Sequence, residues 1–390
     1  YRRMAGFRLK ALQASPAAAA IFLANNQVPS VGYIIRQPDL ATTLQALADY
    51  GMEGFYAGKV ADKLVQGVKA AGGIWSKKDM QQYQVVERIP VVTEYHGYKV
   101  TSAAPPSSGG VAISTILNIL QGYKLGEMDK VQRTHLVVEA MRRAYRDRAE
   151  YLGDSDYVDV PMAKLTSKQH AQLLASTIQM DEATPSRELK PVAVEAEGPH
   201  TTHFSILDRE GNRVSATLSI NYPFGAAFVA PGTGVLLNDE MDDFSSKPGV
   251  PNAYGLVGAE ANAIAAGKRP LSSMSPSFVE GPDRVAIIGT PGGSRIITMV
   301  LLGILDFIDG HEPEHWVALE RYHHQYLPDV IQHEPDTFSD EEKAQLQLLG
   351  HQLQEISYRY GNMQAVLWDK KDQRVLAASD PRVEGKAEVK

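Results

Sequence analysis

A loop that ends in a strand-opening threonine constrains this chain more than any other stretch. Between Glu182 and His200 the sequence carries four acidic residues and three prolines with little apolar periodicity, the composition of an exposed, mobile connection. It stops at Thr201-Thr-His-Phe-Ser-Ile-Leu207, which reads as a β-strand. A threonine at such a junction can be ordinary β propensity. It can also be a nucleophile. If the bond between His200 and Thr201 is cut, Thr201 gains a free α-amine beside its own hydroxyl. That amine has a pKa of about 7.7 to 8, so at neutral pH an unprotonated fraction can take the hydroxyl proton as the oxygen attacks a carbonyl.

The 390 residues, 44% of them hydrophobic, are enough for a large core in one big α/β domain or two smaller ones. A net charge of -7 without any long Lys/Arg block argues against a nucleic-acid partner. No apolar run approaches the roughly 18 residues of a membrane span. The absence of cysteine excludes disulfides and thiolate chemistry and leaves the compartment open. The opening Tyr1-Arg-Arg-Met-Ala is neither an initiator methionine nor a signal peptide, and the chain is expected to begin inside a longer parent.

The first half reads as mainly helical. Asp39 is placed to cap a helix over Leu40–Tyr50 that ends at Gly51, and Ala61–Ala71 continues in the same style. Thr93–Thr101 reads as one strand, Pro105–Gly110 as a turn, Val111–Leu120 as an apolar helix, and 135–152 as a charged amphipathic helix. After Thr201 the character changes. Thr201–Leu207 and Val214–Ile220 form a hairpin pattern around a turn in which Gly211 and Asn212 are placed for positive φ. Phe228, Val235–Leu237 and Val285–Ile288 are further strand candidates, and Ile296–Phe307 reads as an apolar helix. Clustered strands favour two sheets covered by helices over a regular alternation of strand and helix.

Three constellations could carry chemistry. Gly289-Thr-Pro-Gly-Gly-Ser-Arg295 links a strand to the helix that follows. It is either an ordinary turn or an oxyanion hole made by the Gly292 and Gly293 amides. It lacks the Gly-Lys-[Ser/Thr] of a phosphate loop. Asn238-Asp-Glu-Met-Asp-Asp243 gathers four acids that could be solvated surface, a cation site without the calcium-loop spacing, or a cradle for a substrate ammonium. Leu271-Ser-Ser-Met-Ser275 is a plain turn or a set of hydroxyl donors for a carboxylate. His323 and His324 lack a third ligand at zinc spacing and read as structural, and no metal or cofactor is expected.

Six ordered motifs strongly resemble the γ-glutamyltransferase (γ-glutamyl transpeptidase) family. They are Thr201-Thr-His-Phe-Ser, Asn221 before Phe224-Gly225, Leu237–Ser245, Lys268–Pro276, Pro291–Arg295 and Ala378–Arg382. Gly54–Gly58, Pro105–Gly110 and Ala144–Gly153 extend the similarity over nearly the whole chain. The resemblance implies an α+β fold, a four-layer αββα sandwich of the N-terminal-nucleophile hydrolase type. It also implies a precursor cut between His200 and Thr201, so that residues 1–200 end the large subunit and 201–390 form the small subunit of one intertwined domain. Thr201 would be the nucleophile, Gly292 and Gly293 the oxyanion hole. Asn221, Glu240 and Asp243 would hold the donor's α-amino group, Ser272 and Ser273 its α-carboxylate, and Tyr254 would belong to a loop that lids the pocket. Ser219 stands where the family usually has a second threonine that hydrogen-bonds the nucleophile, and its hydroxyl can keep that bond. An arginine that clamps the donor carboxylate in the family would lie upstream of Tyr1. The implied partners are a γ-glutamyl donor such as glutathione and a water or amino-acid acceptor, in the periplasm or outside the cell. A glutaryl or cephalosporin acylase of the same fold and an inert scaffold are the alternatives.

Overall fold

The computed structural model describes residues 1–189, 201–245 and 259–390. His200, Tyr254 and the Glu182–His200 stretch from residue 190 onward lie outside the described residues. The chain forms two compact units, residues 1–87 with 219–240 and residues 88–218 with 241–390. Each unit draws on chain from both sides of position 200.

The larger unit is organised by its strands. Among the described residues these are β1 (Val91–Tyr95), β2 (Tyr98–Ser102), β3 (Thr201–Leu207), β4 (Arg213–Ser219), β5 (Ser277–Glu280), β6 (Arg284–Gly289), β7 (Tyr322–His323), β8 (Ile331–His333), β9 (Leu353–Glu355), β10 (Gln364–Asp369) and β11 (Arg374–Ser379). β4 crosses the boundary only with its last residue, Ser219. Six strands form one sheet in the order β1-β2-β5-β6-β10-β11, every neighbour antiparallel. β3 and β4 pair as a two-stranded sheet, and β7, β8 and β9 make a small third one. The single strand expected over Thr93–Thr101 is instead the β1–β2 hairpin. His96 and Gly97 take positive φ of 46° and 83° and turn the chain back on itself.

Strand alternation sorts the six-stranded sheet into two faces. Ala286 and Ile288 of β6, with Ala365 and Leu367 of β10, join a core built from the helices Gly109–Leu120, Lys130–Tyr151 and Ile296–Ile308. Val285, Ile287 and Gly289 point the other way, toward the β3–β4 hairpin. There Ser215 Oγ donates to the Ile288 carbonyl at 3.2 Å and Ser205 Oγ to the Gln364 carbonyl at 3.2 Å. Helices, six-stranded sheet and hairpin are thus three consecutive layers.

The helix Lys130–Tyr151 begins five residues before the expected start. Asp129 and Gln132 close a capping box that fixes it there. Its charges are not a solvated face. Glu139, Arg142, Arg143, Asp147 and Arg148 are buried, with Glu139 accepting from Arg143 at 2.6 Å and from Arg142 at 3.1 Å. Burial lowers the Arg143 guanidinium from its ordinary pKa, while the Glu139 carboxyl is held below the usual range by the two arginines.

The smaller unit packs Pro38–Tyr50, Gly58–Ala70 and short helices around Val60, Leu64, Val65 and Ala230. Pro38 occupies the first turn after Gln37, so Asp39 sits inside the helix and is not its cap. The strand expected over Val235–Leu237 is reduced to one bridge between Val229 and Leu236.

Candidate active site

In the larger unit, period two puts Thr201, His203 and Ser205 on the face of β3 that looks at the six-stranded sheet, with Thr202, Phe204 and Ile206 exposed on the other. His203 fixes the hairpin. Its Nδ1 lies 2.8 Å from Thr217 Oγ1 and its Nε2 3.1 Å from Ser205 Oγ. Its ring lies over Gly289, where a Cβ would come within 2.2 Å of an imidazole carbon. Only glycine admits that approach. Burial pushes the His203 pKa down to about 4, so the ring is neutral and acts as a spacer at neutral pH.

Three residues beyond Gly289 the chain reaches Gly292 and Gly293, with φ of 153° and 58°. No hydrogen bond from either amide is found among the described residues. The turn around them is pinned: Tyr145 donates its hydroxyl proton to the Ser294 carbonyl, Arg295 Nη2 donates to Gln332 Oε1 at 2.8 Å, and Asn362 N–H donates to Thr290 Oγ1 at 3.1 Å. Two backbone donors held open ahead of a helix suit a developing oxyanion.

The serine turn is held from two sides. The Ser272 N–H donates to the Pro106 carbonyl at 2.8 Å, and the Ser272 carbonyl accepts from Ser108 N at 2.8 Å and Ser108 Oγ at 2.7 Å. Gly109 must lack a side chain, because a Cβ would meet Ser275 Oγ at 2.2 Å. Behind the turn lies Arg148, its Nε donating to Ser108 Oγ at 2.9 Å and its Nη2 to Ser273 Oγ at 3.2 Å. Burial lowers its pKa, with the charges of Tyr145 and Asp243 opposing that shift. The larger unit therefore brings Ser273 and Asp243 around one buried cation, and Asn262 Nδ2 anchors the Asp243 carbonyl at 2.7 Å.

In the smaller unit Ser219, Asn221 and Glu240 lie on one stretch of folded chain. The Asn221 N–H donates to Ser219 Oγ at 2.9 Å, and its Nδ2 donates to the Asp239 carbonyl at 3.2 Å. Asn221 is buried with φ of 64°, a left-handed conformation that asparagine tolerates better than most residues. Asp239 Oδ1 accepts from Tyr222 N at 3.0 Å, and Asn238 Oδ1 from Glu240 N at 3.0 Å. Glu240 Oε1 is buried and has no hydrogen-bond partner among the described residues.

A family model described as Gamma-glutamyltranspeptidase matches residues 1–389. The chain belongs to the γ-glutamyltranspeptidase family. It is 50% identical over 314 residues to a glutathione hydrolase proenzyme of Pseudomonas sp. (strain A14), covering 80% of this chain and 55% of that protein. To the glutathione hydrolase proenzyme of Escherichia coli (strain K12) it is 41% identical over 377 residues, 93% of this chain and 63% of that one. The chain thus spans less than two thirds of the length of these relatives. Its fold matches the crystal structure of cephalosporin acylase from Bacillus halodurans with a TM-score of 0.83 at 24% identity, over 98% of this chain and 68% of the other. The fold is therefore α+β, shared with that acylase.

Sequence reasoning missed two residues of this site. His203 was legible as the third position of a period-two strand, on the same face as Thr201. Arg148 was hidden among the charges of a helix that reads as amphipathic. The reading of the histidines weighed His323 and His324 and passed over His311-Glu-Pro-Glu-His315, whose two imidazoles converge with Asp306.

Proposed function

We propose that this chain forms the catalytic part of a self-processing γ-glutamyl hydrolase and transferase acting on glutathione and related amides. Cleavage after His200 frees the Thr201 amine. The Thr201 hydroxyl then attacks the γ-amide carbonyl, passing its proton by way of that amine to the departing nitrogen. The C–N bond breaks and a γ-glutamyl ester of Thr201 remains. Water, or the amine of an amino acid, attacks the ester and restores the threonine. Gly292 and Gly293 stabilise both tetrahedral intermediates, and Ser219 orients the nucleophile. Asn221, Glu240 and Asp243 bind the donor ammonium, Ser272 and Ser273 its carboxylate with the Arg148 charge behind them, and Tyr254 lids the pocket. Residues 1–200 and 201–390 as subunits of one intertwined domain, and a periplasmic or secreted location, belong to the same reading.

The observation that carries the donor assignment is Glu240 Oε1, buried and without a hydrogen-bond partner among the described residues. A buried carboxylate oxygen without a donor is costly unless a substrate supplies one, and an α-ammonium does so where a glutaryl group cannot. The test has two parts. N-terminal sequencing of the purified protein should find a fragment starting Thr-Thr-His-Phe in wild type and none in Thr201→Ala. The processed enzyme should prefer γ-glutamyl-p-nitroanilide over glutaryl-p-nitroanilide by roughly 10⁴ in kcat/KM, a ratio that shrinks in Glu240→Gln. Equal rates would make it an acylase, and neither cleavage nor turnover would make it a scaffold.

A further inference from the structure

The helix Ile296–Ile308 follows the candidate oxyanion glycines at one end and carries an unassigned cluster at the other. At about 1.5 Å per residue its thirteen residues put the two ends about 20 Å apart. Near the C-terminal end Asp306 is 7% exposed, and its two carboxylate oxygens meet two histidines. Oδ1 lies 2.8 Å from His311 Nδ1, and Oδ2 lies 2.7 Å from His315 Nδ1. The imidazoles stack with centroids 4.3 Å apart and planes 28° from parallel. One ligand atom from each of the three side chains falls within 4.8 Å of the other two.

The backbone under the cluster is fixed. The His311 N–H donates to the Asp306 carbonyl at 3.2 Å, and the His311 carbonyl accepts from Trp316 Nε1 at 3.1 Å and from Arg284 Nη2. Trp316 is fully buried, so the turn between the two helices is anchored in the core. Both histidine side chains remain half open to solvent, at 50% and 55%.

We propose that Asp306, His311 and His315 bind a divalent transition-metal ion of the zinc class, with water completing its shell. Two imidazoles and one carboxylate are the donor set of such ions, whose bonds to N and O are about 2.0 to 2.2 Å. Around a tetrahedral ion the ligand atoms stand about 3.3 Å apart. The carboxylate–imidazole pairs need open by only about half an ångström, a rotation that half-exposed rings can make. The carbonyl end of the helix adds negative potential at the same place. Calcium and magnesium are disfavoured, since they take mostly oxygen ligands and one carboxylate offers too few. The site is remote from Gly292 and Gly293, so its ion takes no part in acyl transfer.

The test uses the purified, tag-free chain after EDTA treatment and dialysis. Calorimetric titration with zinc chloride should give one saturable site per chain, weakened at least about tenfold by His311→Gln or His315→Gln and lost when both are changed. Cobalt(II) should produce visible d–d absorption in wild type that is absent from the double variant. Both rings are half exposed, so the variants should keep the wild-type thermal midpoint in EDTA, which separates lost ligation from lost folding. No saturable zinc binding by wild type would overturn the proposal and leave a hydrogen-bonded trio. So would a double variant that binds zinc as tightly as wild type.

Discussion

In β6, at the middle of the six-stranded sheet, the buried positions are apolar on both faces, whereas in the β3–β4 hairpin the inward face is polar and the apolar face is open. β6 runs Val285-Ala-Ile-Ile288 without an exposed residue, and Leu367 of β10 is fully buried. The hairpin instead turns His203, Ser205, Ser215 and Thr217 inward and leaves Phe204, Ile206, Val214 and Leu218 exposed. A sheet that only had to be stable would reverse the hairpin's pattern. The difference separates two duties. The large sheet gains its stability from apolar burial. The hairpin spends its inward face on hydroxyls and a neutral imidazole that fix it against β6 and β10.

The largest effect should come from the sheet. Leu367→Ala should cost about 2 to 5 kcal/mol in chemical or thermal unfolding. A hairpin substitution that cost as much with no loss of activity would break the division of duties.

Acid should act on the hairpin through His203. Its folded pKa of about 4 lies below the ordinary value of 6.5, so between these values the unfolded chain binds more protons. Stability is then full above about pH 6.5, falls as the pH drops toward about 4, and stops falling below that. The contribution is about 3 kcal/mol. His203→Gln, which can still meet Thr217 and Ser205, should lose less stability than wild type over that window in equilibrium unfolding. Buried His324 and His351, pushed down to about 4 and about 3, add acid sensitivity that both proteins share.

A smaller effect should appear mainly in turnover. Ser219→Ala removes one hydroxyl at the end of β4, and about 1 kcal/mol for a lost hydrogen bond corresponds to roughly five- to tenfold in the rates of cleavage before Thr201 and of donor hydrolysis. Ser219→Thr should restore them, and the alanine variant, in which the Asn221 N–H loses its acceptor, should also show a small fall in thermal midpoint. Equal rates in the alanine variant would assign Ser219 to strand packing.

The smallest effect belongs to the open face. Phe204→Ser should change the stability of this chain by no more than about 0.5 kcal/mol. A loss of several kcal/mol would mean that the side chain is covered in solution, and the contrast with β6 would narrow.

Much of this was legible along the chain. Val285–Ile288, Ile296–Phe307 and the hairpin at Thr201 stand where local pattern placed them, because apolar period and turn glycines act over a few residues, although in the hairpin turn Gly211 takes positive φ and Asn212 does not. Thr93–Thr101 reads as one strand because the β-forming Tyr95, Tyr98 and Val100 outweigh the turn at His96-Gly97. Asp39 was taken as a cap because Pro38, preorganised for the first helical turn, was not weighed. The burial of the charges on Lys130–Tyr151 is not legible, because sequence shows charges and not their partners.

The sequence by itself determined the family, the place of the strand-opening threonine and the residue types offered to a substrate, since ordered motifs and short-range periodicity are properties of the chain alone. Tertiary structure decided what no spacing reveals. It buried Arg148 behind Ser273, laid His203 on Gly289, left Glu240 Oε1 without a partner among the described residues, and drew His311 and His315 onto Asp306. Each of these depends on how closely separate elements pack, and burial fixes both a group's charge and the partners within its reach.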